Sequence, residues 1–559
     1  MNTTNNMKIS IYSLLLLAMG TSACAQTQVI KEGIKATDNE MFDKATSIFK
    51  GIISKEPTNA EAYYYLGENL LCAGKVDSAL AVFKKGKEIN DAMPLNTIGI
   101  GRVWNIKGNA KEAVSSIELV FNRFNEKGFK VKDEMKIRAY VEAAEAMLDG
   151  VNKNTAKALE YAGKAIAIDE YNAHSYIVKG DALYESDPLN ATDPLSNYKK
   201  AAELDKTSAK ALSKAAFMYY RGRVYEKAIQ MYTDALKNDP NFAPAYAGRG
   251  DANYYANKPN EAIDDYKKYL ELNKGNVVAR KKYAWFLFIQ KKYDESLAEI
   301  LEIEKAIGTD DPTTNRLKGY NSYEKSDFEV AKKCLELFME KGQQDKINST
   351  DYEYLGRIYL KLANEEKMNE NFNKAVTLDY KNKNSLIAEA IAYYDAKKNY
   401  KMIAFWYSRK VTLGSKDAND YYYWGTNAYS ADMYGTCDTA FTAYVKIMPD
   451  FAPAWLYIAR SKDALDRGDV KLWTAKDAYL TYISKVKPEE VEKYKSKLAE
   501  AYYYMARYYY ASTSKDFAMT KCYLNKMISL NASEDWVKLA NDLLAQPDIK
   551  SATAAAECK

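Results

Sequence analysis

The sequence predicts an all-α solenoid of consecutive helix pairs, and three observations predict it. A small residue recurs at Gly33, Gly67, Gly101, Ala146, Gly180, Ala216, Gly250, Ala284, Gly319, Gly356, Ala390, Gly425, Ala459 and Ala506, with most steps equal to 34 residues. A fixed period between about 20 and 50 residues is the mark of a repeat array. A phrase is also repeated: "DPNFAPAYAGRG" runs from Asp239 to Gly250, and "MPDFAPAWLYIA" begins at Met448. Finally, 12 Pro and 25 Gly in 559 residues leave room for helices throughout. A chain of this length exceeds one compact core, a limit that an array of neighbour-packed units avoids.

The elements follow in chain order. Lys8 precedes an apolar run from Ile9 to Gly20, too short to span a membrane and placed as in a secretory signal peptide. Residues 1–25 are assigned to that leader, with Met7 as a candidate start. "ACA" at Ala23 to Ala25 offers cleavage before Gln26, and lipidation of Cys24 is the alternative. The first repeat, counted back from Gly33, begins at Gln26. Repeat two shows the unit: Tyr63, Leu66, Gly67 and Leu70 make one helix face, Gly74 ends that helix, and Ala79, Phe83 and Gly86 mark a second.

The small residue sits where the two helices cross and a larger side chain would overpack. Its expected partners are Ala79, Ala113, Ala158, Ala228, Ala262, Ala331 and Ala518. An aromatic four residues on (Phe49, Phe83, Tyr198, Tyr232, Tyr266, Phe372, Phe441) is read as filling the gap to the next unit. Pro57, Pro240 and Pro449 stop second helices. Insertions follow units three and thirteen. "SEDWVKLANDLLA" (533–545) is assigned to a capping helix and 546–559 to a flexible tail.

The pattern resembles the tetratricopeptide repeat family, which reads W–LG–Y in the first helix and A–F–A, then P, in the second. Repeat six gives Leu212, Ala215, Ala216, Tyr219, Ala228, Tyr232, Ala235 and Pro240. Repeat twelve gives Tyr421, Trp424, Gly425, Phe441 and Pro449. Pro194, Met368 and Met402 depart from it by standing where Ala is usual. The resemblance covers 26–532. It implies a right-handed superhelical solenoid of about 14 helix-turn-helix repeats, with ligands along a concave groove lined by first helices.

Chemistry is sparse. His174 is the only histidine, which excludes an HExxH metal site and most histidine-based triads; second in its helix, it reads as a solvated side chain. "GIGRVW" at Gly99 lacks the rest of a phosphate loop. After leader removal five cysteines remain, far apart and without CxxC, so neither a disulfide framework nor a zinc site is expected; Cys437 reads as a small core residue. No catalytic residue, metal or cofactor is predicted. Net charge is +5 over 80 basic and 75 acidic residues, with no basic block to track nucleic-acid phosphates.

The binding candidates lie on first helices, four residues after the crossing. Repeats one to four place Thr37, Leu71, Asn105 and Gly150 there; later repeats place Tyr184, Tyr220, Tyr254, Phe288, Tyr323, Leu360, Tyr394 and Tyr429, with Arg221 and Tyr255 adjoining. One reading is a tyrosine track for an extended partner, since Tyr offers rigid area with a polar tip. The other is that these aromatics pack against the neighbouring unit. The function expected is a non-enzymatic scaffold of the bacterial cell envelope, exported to the periplasm, holding a protein or peptide in the groove. It has no transmembrane helix once the leader is removed, and outer-membrane association would come through Cys24. The alternative is an outer-membrane-associated glycan-binding protein. An almost continuous array with 12 Pro and 7 Trp departs from the irregular, Pro- and Trp-rich segments of such proteins.

Overall fold

Helix starts in this chain have local causes. Asn59, Asn154, Asn172, Ser208, Asn276 and Asp311 each accept a backbone N–H of the first turn that follows, which satisfies a donor the helix leaves open. The computed structural model describes residues 28–378, 383–468 and 470–558. The leader, Cys24 and the Gln26 start lie outside them. Among the described residues regular structure is helical throughout, in consecutive pairs. The chain divides into two units, through Lys325 and from Ser326.

The first unit contains α1 (28–38), α2 (Phe42–Lys55), α3 (Ala60–Cys72), α4 (Val76–Ile89), α5 (Pro94–Ile106), α6 (Ala110–Phe124), α7 (Asp133–Leu148), α8 (Thr155–Ile168) and α9 (Ala173–Ser186). It continues with α10 (Thr192–Leu204), α11 (Ala209–Arg221), α12 (Tyr225–Asn238), α13 (Ala243–Tyr255), α14 (Pro259–Leu272), α15 (Val277–Ile289), α16 (Tyr293–Ile307) and α17 (Pro312–Glu324). Odd-numbered helices are the first members of their pairs. The period reappears in the backbone: Glu40, Gly74, Gly108, Arg223, Asn257 and Lys291 all take positive φ at the turn inside a pair. Only two of these are glycine. The others bear the left-handed conformation at about 1–2 kcal/mol each.

The crossing differs from expectation in one respect. The alanine partners Ala79, Ala113, Ala158, Ala228, Ala262 and Ala331 are fully buried, but Ala518 is only half-buried. At Gly33, Gly67, Gly180, Gly250, Gly356 and Gly425 the nearest neighbour is the aromatic of the second helix of the pair, whereas at Gly101 it is Ile117. A Cβ added at Gly250 would stand 2.7 Å from Tyr266 Cδ2, and one at Gly180 2.6 Å from Tyr198 Cε1. The next repeat approaches the same ring: a Cβ at Gly99 would meet Phe83 at 2.5 Å. Each such ring therefore fills both the crossing and the gap between units.

The first unit also closes on itself, which nearest-neighbour repeat logic does not require. The turn after α1 docks against α11, the α12–α13 turn and α14, some 170 to 230 residues further along the chain. Asn39 donates to Asp239 at 3.1 Å, Lys35 pairs with Asp239 at 3.2 Å, and Lys210 pairs with Asp38 at 3.3 Å. Tyr269 and Asn273 donate to Glu40. Asn39 and Asp239 are buried.

The second unit contains α18 (Phe328–Lys341), α19 (Ser349–Lys361), α20 (Glu365–Thr377), α21 (Lys383–Ala396), α22 (Tyr400–Thr412), α23 (Ala418–Ser430) and α24 (Tyr434–Ile447). Then come α25 (Ala452–Leu465), α26 (Lys476–Lys485), α27 (Val491–Ala511), α28 (Phe517–Leu530), α29 (Glu534–Leu544) and α30 (Pro547–Ser551). Two sequence expectations fail at its end. The segment 546–559, read as a flexible tail, folds back on α28: Ile549 is fully buried, Ala555 N donates to Ala518 O, and Lys521 donates to the carbonyls of Lys550 and Ala552. A disulfide, Cys522–Cys558, ties the two together. Wide spacing in sequence concealed the pair because the returning tail brings its ends together. Cys437 is fully buried.

Candidate functional site

The first helices of six consecutive repeats line a cavity of about 810 Å³, open to solvent, in the first unit. Its walls come from α1, α3, α5, α7, α9 and α11, with Tyr198 of α10 the contribution of a second helix. The residue directly after the crossing small residue recurs in the lining as Ile34, Glu68, Arg102, Asp181 and Phe217. One step along a helix turns the side chain by about 100°, from the crossing into the concave face.

Eight carboxylates line the cavity (Asp38, Glu68, Glu142, Glu145, Asp149, Asp181, Glu185, Asp205) against four basic side chains (Arg102, Lys153, Lys210, Lys214). Arg102, with only 12% of its side chain exposed, pairs with Glu68, Asp149 and Glu145. His174 Nε2 lies 3.1 Å from Glu145 Oε1, so the histidine expected to be merely solvated is part of this network. Lys153 pairs with Glu185 at 2.6 Å and Lys214 with Asp181 at 2.8 Å. Burial pushes the Glu68 carboxyl up to about 8; Arg102 opposes the shift, and Glu142, Glu145 and Asp149 add to it. Burial likewise raises Glu142, with Glu145 adding to the rise. At Glu145 burial also acts to raise the pKa, but the hydrogen bond from His174 and the charge of Lys210 outweigh it and hold the group well below the usual range.

The predicted aromatic track is not one surface. Tyr220, Tyr254 and Tyr255 line a recess of about 440 Å³ together with Trp285 and Phe286. There Tyr254 stacks on Phe286 at 4.8 Å and Tyr255 on Tyr225 at 5.7 Å, leaving Tyr255 57% exposed. Burial, with Asp251 second, pushes Tyr220 up to about 12. Tyr184 instead faces the polar cavity, edge-on to Phe217, with the exposed Arg221 guanidinium 5.6 Å from its ring centre. Phe288 is half-buried among Trp285, Tyr293 and Tyr320. Tyr323 is half-buried. In the second unit Tyr429 packs edge-on to Tyr434 and Tyr457.

Tyr394 is a correction. It is 1% exposed, receives a hydrogen bond from Asn369, and belongs to the core. Its ring cannot meet a ligand without unfolding its repeat. Glu68, Arg102, Glu142, Glu145, Asp149 and Lys210 were missed as site residues. Glu68 and Arg102 had a signal, the position directly after the crossing, where charged and apolar residues both occur; Glu142, Glu145, Asp149 and Lys210 stand at other registers and had none.

Among the described residues no group of three His, Cys, Asp or Glu side chains is placed to hold a metal ion, and no helix is long and apolar enough to cross a membrane. Residues 218–277, from the end of α11 to the start of α15 and including Tyr220, Tyr254 and Tyr255 of the recess, match the family profile described as tetratricopeptide repeat. Over these residues the chain is similar to tetratricopeptide repeats. Human tetratricopeptide repeat protein 6 is 26% identical over 214 residues, 36% of this chain and 37% of that protein. Hsc70-interacting protein 1 of Drosophila melanogaster is 38% identical over 90 residues, 16% of this chain and 23% of that one. The chain therefore spans well under half the length of these relatives. Among solved structures, the C-terminal part of a tetratricopeptide repeat-containing protein of Cytophaga hutchinsonii is 24% identical, covering 46% of this chain and 98% of that one with a TM-score of 0.26. The hetero-tetramer Cut9–Hcn1 gives 13% identity, coverage of 77% and 95%, and a TM-score of 0.29. Superpositions at this level carry no weight for the arrangement of the repeats, and the assignment rests on the sequence match.

Proposed function

We propose that the chain is a non-enzymatic scaffold of the bacterial cell envelope that holds a protein or extended peptide on its concave, first-helix faces. Tetratricopeptide repeats serve as protein-interaction scaffolds, and the observation that carries the reading here is the recess in which Tyr220, Tyr254 and Tyr255 converge. Aromatic rings with polar tips in a concave site are what an interface anchor needs. Export is supported by the leader pattern before Gln26 and by the Cys522–Cys558 disulfide, because such bonds persist in oxidising compartments.

The test is photocrosslinking in cells, with a reactive amino acid in place of Tyr255 and, as control, of the exposed second-helix residue Lys268. A discrete protein adduct at 255 that is absent at 268 supports the scaffold reading and identifies the partner. Adducts equal at both positions would refute the recess as the docking face.

A further inference from the structure

The polar cavity is built against its own stability. Charges removed from water need partners, and a buried carboxylate without one is expensive. Here carboxylates outnumber basic side chains eight to four. Three of them share Arg102, and the buried Oε1 of Glu68 has no hydrogen-bond partner. Packing does not explain this. The ring-on-glycine core lies on the opposite side of the crossing and would tolerate apolar groups facing the cavity. Positive charge is short, and burial compensates by holding Glu68 and Glu142 toward their protonated forms, which a basic group entering the cavity would reverse; sites that break sequence rules in this way are where function is expected.

The acidic groups are distributed around the wall, and among the described residues no three converge as metal ligands do. A volume of about 810 Å³ lies in the range of sites that enclose a drug-sized ligand or a short peptide. One edge of the cavity wall lies at the end of α1, where Asp38 meets Lys210. Both residues belong to the lining, so that edge of the wall is held by an ion pair.

We infer that this cavity binds a peptide segment bearing at least two basic side chains, one of which pairs with Glu68 and Glu142 beside Arg102. The inference rests on the scaffold reading and names a ligand for a second concave site, separate from the aromatic recess. The basic groups supply the counter-charge that the cavity lacks, and the backbone occupies the space between opposite walls.

The experiment uses the full chain and a fluorescently labelled Lys-Ala-Lys-Ala-Lys peptide, followed by anisotropy at physiological salt, with a Glu-Ala-Glu-Ala-Glu peptide and spermidine as comparisons. Saturable binding of the lysine peptide, no binding of the glutamate peptide, and at least tenfold weaker binding to Glu68→Gln and to Glu142→Gln are expected. Both variants should keep or raise the thermal midpoint, which a purely structural role for these carboxylates would not allow. Equal binding to wild type and variants, or none to wild type, overturns the inference. Spermidine displacing the peptide at equal or lower concentration overturns the peptide assignment. A Tyr255 adduct without lysine-peptide binding would sink the cavity inference alone, whereas loss of both would sink the scaffold reading as well.

Discussion

Gly250 and Gly163 are both helical glycines of the first unit, and replacing them should have opposite effects. Gly163 sits in α8 with nothing within 4 Å of where a Cβ would be, so Gly163→Ala adds only helix propensity, a gain of about 0.5–1 kcal/mol. Gly250 faces Tyr266, with Cδ2 at 2.7 Å and Cε2 at 2.9 Å from the Cβ position. Tyr266 cannot retreat: it is 1% exposed, packs edge-on to Phe286, and donates to Asp251 at 2.7 Å. For Gly250→Leu, overpacking of about 1–3 kcal/mol and disruption of a hydrogen bond to a charged group, about 1.5–3 kcal/mol, oppose the propensity gain. The net loss is roughly 2–5 kcal/mol. Hydrogen exchange by mass spectrometry measures it locally, since stability varies along the chain and a single midpoint would mix the units. Peptides within 243–272 should exchange roughly 30-fold or more faster, at a factor of ten per 1.4 kcal/mol. Unchanged exchange over those residues, or slower exchange than in Gly163→Ala, would refute the crossing argument.

Three further outcomes follow. Glu68 keeps its proton in the folded chain up to about pH 8, above the ordinary carboxyl range, so its contribution is full at low pH and lost as pH rises through that interval; the thermal midpoint of wild type should fall relative to Glu68→Gln between pH 5 and 9, and a constant difference would contradict the shift. Tyr269→Phe removes one of the two donors to Glu40, leaving Asn273, and should speed exchange of residues 38–41, while Lys210→Ala, whose partly exposed ion pair with Asp38 is worth at most about 1 kcal/mol, should do so weakly and lose its effect in high salt. Reduction of Cys522–Cys558, separated by 36 residues, removes a constraint of about 4 kcal/mol on chain-entropy grounds and should open 547–558 to protease, leaving α1–α17 unaffected.

The core was legible in the sequence because it depends on a strict register. Gly67 and Phe83, or Gly250 and Tyr266, announce themselves by spacing, and only a small residue fits opposite a ring. The concave faces were legible only in part. Tyr220, Tyr254 and Tyr255 converge because adjacent first helices are parallel neighbours at one register. Tyr394 occupies the same register but is buried against Asn369 and near Trp406, whose indole also bonds Asn369; unit-specific packing decided its place, and no period encodes that. The contacts of Asp38, Asn39 and Glu40 join residues some 200 apart, and the charge network around Arg102 joins α3, α5 and α7. Neither follows from a pattern read one repeat at a time. Glu68 and Arg102 nevertheless occupied a fixed place, the position after the crossing, where chemistry varies while the crossing itself does not.

That contrast separates what holds the array from what the cavity can do. At the crossing, Gly33, Gly67, Gly101, Gly180 and Ala216 vary only between the two smallest residues, while one position on, Ile34, Glu68, Arg102, Asp181 and Phe217 span every class of side chain. Met147 and Tyr320 occupy the same position in other repeats and are buried in the core, so packing sets it there; where it is charged and lines the cavity, as at Glu68 and Arg102, its role is electrostatic. Arg102→Met tests this directly. The substitution keeps the unbranched apolar stem, though not the full reach of the guanidinium, and leaves Glu68, Glu145 and Asp149 without their shared cation, at roughly 3–5 kcal/mol. If charge is the cause, protonation should relieve it: the destabilisation measured at pH 9, where Glu68 is ionised, should shrink at pH 5, where Glu68 holds its proton. A loss of the same size at both pH values would mean that Arg102 acts through packing, and the position after the crossing would then belong to the core in this repeat as well.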